Sequence, residues 1–274
     1  MISKFRLTSN NIILILTGLI LLCMLLTFSI GPFIINKNPT DMDYSNMLKS
    51  PNEEYLLGTD NFGRGILIRI MYGGRISLII AFSSSLFALL VGLFFGLTAG
   101  FYGKKLGYFI MRGMDFLISF PPILMAIFVV GLFGGSLVNL ILVIGILYVP
   151  RIARLSYSQC LSINENEYIE AMKALGAKDL RIIFKGIIPN LMGPVIVQTS
   201  IIFAYSLLLE SGLSFLGLGV QPPNPTLGGM ISSGRSYLHM SIHATLWPSV
   251  FLSLLVLSAN LLSESLREKF DPTH

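Results

Sequence analysis

Residues 76–101 read ISLIIAFSSSLFALLVGLFFGLTAGF and contain no charged side chain. About 20 predominantly apolar residues suffice for a helix to cross the hydrocarbon core of a bilayer. The whole chain has the same character, since 53% of its 274 residues are hydrophobic, 12% are charged and the mean hydropathy is +0.75. A soluble domain carries about 25% charged residues. The sequence therefore predicts an integral membrane protein.

Segments on either side of this run are also apolar enough to be spanning helices. The six predicted spans are residues 12–33, 76–101, 114–133, 136–150, 191–217 and 244–263. The fourth is short, and we expect it to extend towards Leu155. Pro121 and Pro122 interrupt the third, which a membrane helix tolerates when its neighbours satisfy the freed carbonyls. The first exceeds the roughly 7–15 residues of a signal-peptide core, so we interpret it as a retained anchor helix.

The basic residues predict the orientation. With the N-terminus inside, most of the 19 lysines and arginines fall in cytoplasmic segments, as is typical of inner-membrane proteins. We predict Asn10 and Asp271 inside, and Asn52 and Asn224 outside. The net charge of +5 is then a topology signal, and no nucleic-acid partner is expected.

The predicted organisation is an anchor helix with an extracytoplasmic loop (1–75), a transmembrane core (76–266) with a cytoplasmic loop (156–190), and a cytoplasmic tail (267–274).

The cytoplasmic loop has helical periodicity. Residues 167–189 read EYIEAMKALGAKDLRIIFKGIIP. One apolar face follows the spacing i, i+3, i+4 and i+7, and its members are Tyr168, Ala171, Met172 and Leu175. This stripe must be buried, either on the protein's own bundle or lipid interface, or in a groove of another protein.

Capping signals bound two short helices in this loop. Asn164 and Glu167 form a possible capping box at the start of the first, and Gly176 predicts its end with a positive φ. Asp179 is a candidate N-cap for the second helix, which we expect Pro189 to bound.

Part of this loop resembles the EAA signature of ABC importer permeases, which reads E-A-A, three residues, G, nine residues, I-x-L-P. The matching residues are Glu170, Ala171, Gly176 and Pro189. Three positions depart from the signature, where Met172, Gly186 and Ile188 replace Ala, Ile and Leu. The resemblance implies that residues 170–176 form a coupling helix in a cleft of a cytoplasmic ATPase. The implied coupling residues are Tyr168, Glu170, Ala171, Met172, Leu175, Gly176 and Pro189.

Further stretches resemble the dipeptide, oligopeptide and nickel branch of these permeases. They are LGTDNFGRGILIRIMYGGRISL (57–78), ESGLSFLGLG (210–219), VQPPNPTLGGM (220–230), Trp247-Pro248 and LREKFDP (266–272). The resemblance implies an all-α, MetI-like type I importer fold of about six transmembrane helices. It also implies a second permease subunit, a paralogue of this chain, two cytoplasmic ATPases and an extracytoplasmic binding protein. The implied substrates are short peptides, nickel or metal chelates, and the short N-terminal tail is slightly more like that of nickel permeases.

An interfacial helix is expected before the second span. Ile66, Leu67, Ile70 and Met71 form an apolar face, flanked by arginines. Such a helix lies in the plane of the membrane surface, and we expect it to bind no ligand.

Two acidic residues fall in or near spans and are candidates for function. Asp115 is expected to pair with Arg112, three residues earlier. Glu210, with Ser211 and Ser214, either lines the translocation path or bonds to a neighbouring helix. His239 and His243 have the spacing of two metal ligands on one helical face, but no third ligand lies nearby in sequence, so no metal or cofactor is expected.

The sequence lacks catalytic motifs. It contains no G-x-x-x-x-G-K-[ST] phosphate loop and no nucleophile–base constellation. We therefore expect a non-catalytic subunit whose energy comes from a separate ATPase. The alternative, a stand-alone secondary transporter or channel, predicts facing intramembrane charges and inverted repeats, and we find no clear repeat.

Overall fold

The computed structural model describes residues 2–35 and 37–270, and within them all side chains except those of residues 2–14, 104 and 270. Asp271 and the end of the predicted tail lie outside the described residues. Ten α-helices occur in the described ranges, which contain no β-strand. They are α1 (Ile2–Ile35), α2 (Ile66–Tyr102), α3 (Lys104–Ile118), α4 (Pro122–Phe133), α5 (Leu137–Asn164), α6 (Glu167–Ala174), α7 (Asp179–Ile182), α8 (Ile188–Phe215), α9 (Leu227–Arg235) and α10 (His243–Phe270).

Five helical segments are long and apolar enough to cross a membrane, and a sixth crossing is made if a bent pair counts as one. The five are Ile15–Ile35, Ile66–Tyr102, Leu137–Asn164, Asp179–Phe215 and His243–Lys269. The bent pair joins Lys105–Ile118 to Pro122–Phe133 at an angle of 85°. The prediction of an all-α protein with about six spans is confirmed.

The third span is not the single interrupted helix that we predicted over 114–133. Two consecutive prolines divide it, because the residue before a proline is disfavoured from helical geometry. α3 therefore ends at Ile118, and α4 restarts at Pro122. A proline at the start of a helix costs no hydrogen bond, since the first N–H groups have no partner within the helix.

Two further helices are longer than predicted. The fourth span, α5, continues well beyond Leu155 to Asn164. The interfacial helix expected to lead into the second span is the first part of α2, which runs without a break from Ile66 into the membrane segment. Ile66 and Ile70 are fully buried in the core, so this face packs on protein and not on lipid headgroups. The boundary drawn at residue 75 falls inside α2.

The centre of the bundle is a close pairing of α2 with α5. Glycines at intervals of four residues line the contact face of α2. A Cβ on Gly92 would lie 2.6 Å from Ile152 Cβ, and one on Gly96 would lie 2.5 Å from the Ala153 carbonyl oxygen. Small residues at this spacing let membrane helices approach closely, which strengthens van der Waals packing between them.

Three apolar clusters mark successive levels of the bundle. One end joins α1, the start of α2, α9 and α10 around Phe28 and Leu227. The middle is formed by α2, α4, α5 and α8 around Ile144. The other end joins the last turns of α2 and α5 to α6, α7 and α8 around Ile169 and Ile187. Residues 37–65, which pack beside the first cluster, and residues 165–190, which contribute to the third, therefore lie at opposite ends of the bundle.

Candidate functional site

We call residues 165–190 the inner segment; this name, and the name outer loop used below, follow the orientation predicted from the sequence. Helix α6 of the inner segment ends as predicted, because Gly176 has φ +76°. The Ala177 N–H donates to the Met172 carbonyl at 3.0 Å, and the Gly176 N–H donates to the Lys173 carbonyl at 3.0 Å. This pair of bonds is a Schellman motif, which satisfies carbonyls at the end of a helix. A short helix with a defined end is therefore presented at this surface.

The predicted capping box at the start of α6 is wrong. α5 continues through Asn164, so this residue is not available as a cap. Asn166 occupies the N-cap position and its side chain makes no capping bond. The Asn164 side chain instead accepts a hydrogen bond from Lys173 Nζ at 2.9 Å, which links the end of α5 to α6.

One residue that the sequence stripe missed anchors α6 to the bundle. Ile169 is fully buried in the cluster that contains Ile182, Ile183 and Ile187, and Met172 packs against the same cluster. Ile169 and Met172 are three residues apart, so they face the same way on a helix. That pairing was the signal for the inward face.

Two other residues of the predicted stripe, Ala171 and Leu175, point away from the bundle. Ala171 is exposed, Tyr168 is 42% exposed and Leu175 is 88% exposed. The predicted face is thus divided, with Met172 on the inner side, Ala171 and Leu175 outside, and Tyr168 at the edge between them. Leu175 and Ala171 together form an apolar patch on α6, and no residue in the described part of the chain covers it.

Tyr168 fixes the position of α6 on the segment that follows. Its hydroxyl donates to the Gly186 carbonyl at 3.1 Å, and Asn190 Nδ2 donates to the Tyr168 oxygen at 3.0 Å. A Cβ on Gly186 would lie 2.7 Å from Ile169 Cδ1. Glycine at this position, where the EAA signature has Ile, therefore makes room for the buried Ile169.

The second short helix differs from its prediction at both ends. Lys178 is the N-cap of α7 and Asp179 is already its first helical residue. Pro189 does not end a helix, because it lies in the first turn of α8. A π-helical turn at Ile183–Ile187 precedes it, and the Ile188 N–H bonds to the Ile183 carbonyl. α8 is thereby connected to α7 within one candidate span, Asp179–Phe215.

Asp115 has a nearer partner than the one predicted. It pairs with Arg154 of α5, whose Nη2 donates to its carboxylate, whereas Arg112 Nη1 is 3.9 Å from Asp115 Oδ2. The local pair exists but is the longer of the two. The main contact joins α3 to α5, which sequence spacing alone could not reveal because 39 positions separate the residues.

Glu210 is fully buried near the end of α8. Ser214 Oγ donates to its Oε1 at 2.7 Å, and Ser211 Oγ lies 3.3 Å from Oε2. Ser77 of α2, also fully buried, faces the same carboxyl group. The structure thus brings the three predicted residues together around a buried carboxyl group that is hydrogen-bonded within its own helix.

We call residues 37–65 the outer loop, and its organising residue is Asp60. The Phe62 and Arg64 N–H groups donate to Asp60 Oδ1 at 2.9 and 3.0 Å. Arg64 Nε donates to Oδ2 at 2.7 Å, and Arg69 Nε lies 3.3 Å from the same oxygen. All three side chains are largely buried. The four-residue spacing of Asp60 and Arg64 was the available signal for this ion-pair network.

Backbone hydrogen bonds fold the rest of the outer loop onto this centre. The Leu48 N–H donates to the Asp60 carbonyl at 3.0 Å, and the Asp43 N–H donates to the Phe62 carbonyl at 3.1 Å. Hydrogen bonds from Ser45 and Asn46 to the Asp43 carboxylate lower the pKa of Asp43. Gly63, at φ +73°, could not carry a Cβ because it would meet the Asp43 carbonyl oxygen. The loop is therefore internally bonded.

A cavity of about 630 Å³ opens between the outer loop, α9 and the chain after α8. We call it the outer cavity. Its polar lining includes Arg64, Arg69, Gln221, Thr226, Ser232 and Ser233. Ser214 also lines it, so its floor adjoins the buried Glu210 site.

The two histidines do not share a helix. His239 lies in the turn before α10, whereas His243 is the first residue of α10. The described side chains contain no group of three or more potential metal ligands.

Comparison with known proteins decides the family. The model of the family described as "binding-protein-dependent transport system inner membrane component" matches residues 88–273. The chain belongs to this family. It is 39% identical over 260 residues to the dipeptide transport system permease protein of Alkalihalophilus pseudofirmus, covering 94% of this chain and 86% of the relative. It is 37% identical over 230 residues to the glutathione transport system permease protein of Pectobacterium atrosepticum, covering 84% and 76%.

Solved structures support the fold. An inward-facing structure of the MetNI methionine ABC transporter matches with a TM-score of 0.60 at 19% identity, covering 74% of this chain and 96% of that chain. At this identity the match speaks for the MetI-like fold alone. The resemblance read from the sequence is confirmed, and with it an inner-membrane, non-catalytic permease subunit of an ABC importer.

Proposed function

We propose that the chain is one of two permease subunits in an ATP-driven importer of short peptides, and that α6 couples it to a separate ATPase. The observation that carries the proposal is the apolar patch on α6, where Leu175 is 88% exposed and Ala171 is exposed beside it. A helix that presents an apolar face outside the membrane fits a groove on a partner protein. The same positions correspond to the EAA signature.

The relatives favour peptides as the substrate. They are named for dipeptides, for di- and tripeptides, for oligopeptides and for glutathione. All these compounds carry amide bonds and a carboxylate. This favours short peptides over nickel or metal chelates, which remain the alternative that the sequence resemblance left open.

The proposed orientation places the inner segment in the cytoplasm and the outer loop outside. Basic residues cluster at the end of the bundle that carries α6, including Arg151, Arg154, Lys173 and Lys178. An excess of lysine and arginine marks cytoplasmic loops. The ATPases would then reach α6 from inside, and a binding protein would deliver the peptide to the outer loop.

A packed route connects α6 to the spans. Ile169 and Met172 contact the cluster at the inner end, which includes Leu97 of α2, Cys160 of α5 and Leu191 of α8. Packed interiors transmit displacement because they deform little. A movement of α6, imposed by two closing ATPases, would therefore shift the ends of three spanning helices together and alternate the opening of the path.

The substitution Ala171→Asp tests the coupling role. It would place a charge in a desolvated groove, at a cost of about 2–5 kcal/mol to association with the ATPase. We expect normal amounts of the variant in the membrane, loss of ATPase co-purification and no peptide uptake. Membrane insertion should be unaffected because residue 171 is exposed and lies outside every candidate span.

Lys178→Ala is the matched control, since Lys178 is exposed on the same segment. It should leave uptake and ATPase association close to the wild-type values. If Ala171→Asp transported at the normal rate and still held its ATPases, the docking role of residues 170–176 would be wrong.

The family to which the chain belongs consists of components of binding-protein-dependent transport systems. This membership argues against the alternative, a stand-alone secondary transporter. The alternative makes a separate prediction, namely that the purified chain alone moves solute down an ion gradient. The proposed function requires the opposite, with no uptake and no ATP hydrolysis by the chain without its partners.

A further inference from the structure

The outer cavity has an unbalanced charge. Two arginines, Arg64 and Arg69, line it, and none of the described residues in its wall is acidic. Asp60, just behind the wall, contacts both arginines but carries only one negative charge. Glu210 lies below the floor, fully buried and bonded to Ser214 and Ser211, so it does not face the cavity. One positive charge is therefore left without a counter-charge in the described chain.

The two arginines also have unused hydrogen-bond donors. Arg64 gives Nε to Asp60, and its guanidinium group lies over the Phe62 ring at 4.5 Å, but its terminal nitrogens make no hydrogen bond to a described residue. Arg69 gives Nη1 to the Pro39 carbonyl at 2.8 Å. Its buried Nε has no hydrogen bond, because the contact with Asp60 lacks the required geometry. A guanidinium group has five N–H donors, so both arginines keep donors that no described residue uses and that a ligand with acceptors would satisfy.

Three carbonyl groups at the end of α8 and just after it already accept hydrogen bonds. The Phe215 carbonyl at the end of α8 accepts from Ser232 Oγ at 2.7 Å. Gln221 Nε2 donates to the Gly217 and Gly219 carbonyls at 3.2 and 3.0 Å. The N-terminus of α9 also opens onto the cavity at Thr226 and Gly229, and the start of a helix favours a negative charge. The two arginines and the start of α9 therefore favour an anion over a cation in this cavity.

We propose that the outer cavity binds the C-terminal carboxylate of a short peptide through Arg64 and Arg69. Guanidinium groups bind carboxylates with paired hydrogen bonds. A volume of about 630 Å³ lies in the range of small-molecule sites, roughly 300–1,000 Å³, so it accommodates a short peptide with its backbone. Every linear peptide has a C-terminal carboxylate whatever its side chains. The site thus gives a reason for selecting peptides as a class, and it rests on the proposed function.

The test measures binding of tri-alanine, and of tri-alanine amide, which lacks the carboxylate, to the assembled transporter in lipid nanodiscs without its binding protein. Calorimetry or saturation-transfer NMR supplies the readout. We expect tri-alanine to bind at least about tenfold more tightly than the amide, because a hydrogen bond to a charged group contributes this much or more. This comparison uses the unmodified protein, so it decides the question even if a variant fails to fold.

Variants then assign the site. Arg69→Gln should weaken tri-alanine binding at least about tenfold and leave binding of the amide unchanged. Arg235→Gln is the matched control, since Arg235 is exposed on α9 and outside the cavity wall. Equal binding of the two peptides, or full affinity in Arg69→Gln, would overturn the proposal.

A third outcome would show whether the carboxylate in the cavity comes from the peptide or from the binding protein. If the transporter binds no tri-alanine but Arg69→Gln weakens its association with the binding protein, an acidic side chain of that protein occupies the cavity and the proposal is wrong. Uptake of tri-alanine by proteoliposomes with all subunits is measured alongside. Uptake without direct binding refutes the outer site alone, whereas absence of any peptide uptake refutes the proposed substrate.

Discussion

The outer loop and the inner segment lie at opposite ends of the bundle, and they differ in how much of their interacting surface is used within this chain. The outer loop has a buried ion-pair network at its centre, where Asp60 contacts Arg64 and also Arg69 of α2, and all three side chains are largely buried. In the inner segment, helix α6 is held by one fully buried residue, Ile169, and by the hydrogen bonds of Tyr168. Its remaining apolar surface faces outward at Leu175.

This difference indicates different roles. A loop whose polar groups are bonded internally keeps one shape without a partner, because breaking a buried network is costly. A helix as short as α6 has little stability of its own, so it needs packing contacts to remain folded. Its exposed apolar patch can provide such contacts when a partner covers it. We therefore infer that the outer loop is a rigid wall and that the inner segment completes its packing on another subunit. Substitutions in the two regions should separate loss of stability from loss of coupling.

The largest expected effect is in the outer loop. Asp60→Ala would leave two buried arginines uncompensated, which costs about 3–5 kcal/mol when one partner of a buried pair is removed. We expect a lower unfolding temperature for the purified protein and rapid proteolysis between residues 37 and 65. Asp41→Ala, at an exposed acid of the same loop, should change neither measurement. Equal protease resistance in both variants would show that the network does not hold the loop.

The next effect is at the inner anchor. Ile169→Ala would open a cavity under α6 and cost about 2–5 kcal/mol, partly as local undocking. We expect faster amide hydrogen exchange across residues 167–174 and reduced uptake. Ile169→Val removes only one methyl group and should cost about 0.5–1.5 kcal/mol. An unchanged exchange rate in Ile169→Ala would mean that another contact holds the helix.

A smaller effect is expected at the end of α6. Gly176→Ala places a Cβ on a residue with φ +76°, where the left-handed conformation costs about 1–2 kcal/mol. No atom lies near enough to clash, so the cost is in the backbone alone. Hydrogen exchange at residues 175–177 should quicken. Gly113→Ala, at a helical glycine with equally open space, should be neutral or slightly stabilising, and a similar loss in both would contradict the assigned conformation.

The smallest effect on stability is expected at Leu175. Leu175→Ala removes a side chain that is 88% exposed, so the unfolding temperature of the permease should not change. The same substitution should weaken ATPase association by about 2 kcal/mol or more if Leu175 is an anchor of the interface. Co-purification of the ATPase across a dilution series measures this. Normal association would move the interface away from Leu175.

Much of the fold could be predicted from the sequence, because an apolar run of about 20 residues almost always forms a transmembrane helix. The break at Pro121 and Pro122 was visible, but its 85° bend was not, since local sequence does not report which way the next helix turns. The start of α2 was misjudged because an amphipathic face looks the same whether it meets headgroups or protein. Only the packing of Ile66 and Ile70 distinguishes the two.

The site was less accessible to sequence reasoning. The spacing of Ala171, Met172 and Leu175 identified an apolar stripe, but not which of its edges faces the bundle. That edge is set by Ile169, whose partners Ile182 and Ile187 come from the next turns of the chain. The partner of Asp115 is 39 residues away on α5. Contacts of this kind depend on the tertiary arrangement, which residue spacing does not encode.

The most direct measurement of the coupling account is site-specific photo-cross-linking from position 175. A benzoylphenylalanine placed there in the assembled transporter should cross-link to an ATPase subunit, and the same probe at Asn52 in the outer loop should not. The yield at position 175 should fall in the Ala171→Asp background. A cross-link from position 175 only to this chain, with the ATPases bound and active, would contradict the account and show that the exposed face of α6 packs on the permease itself.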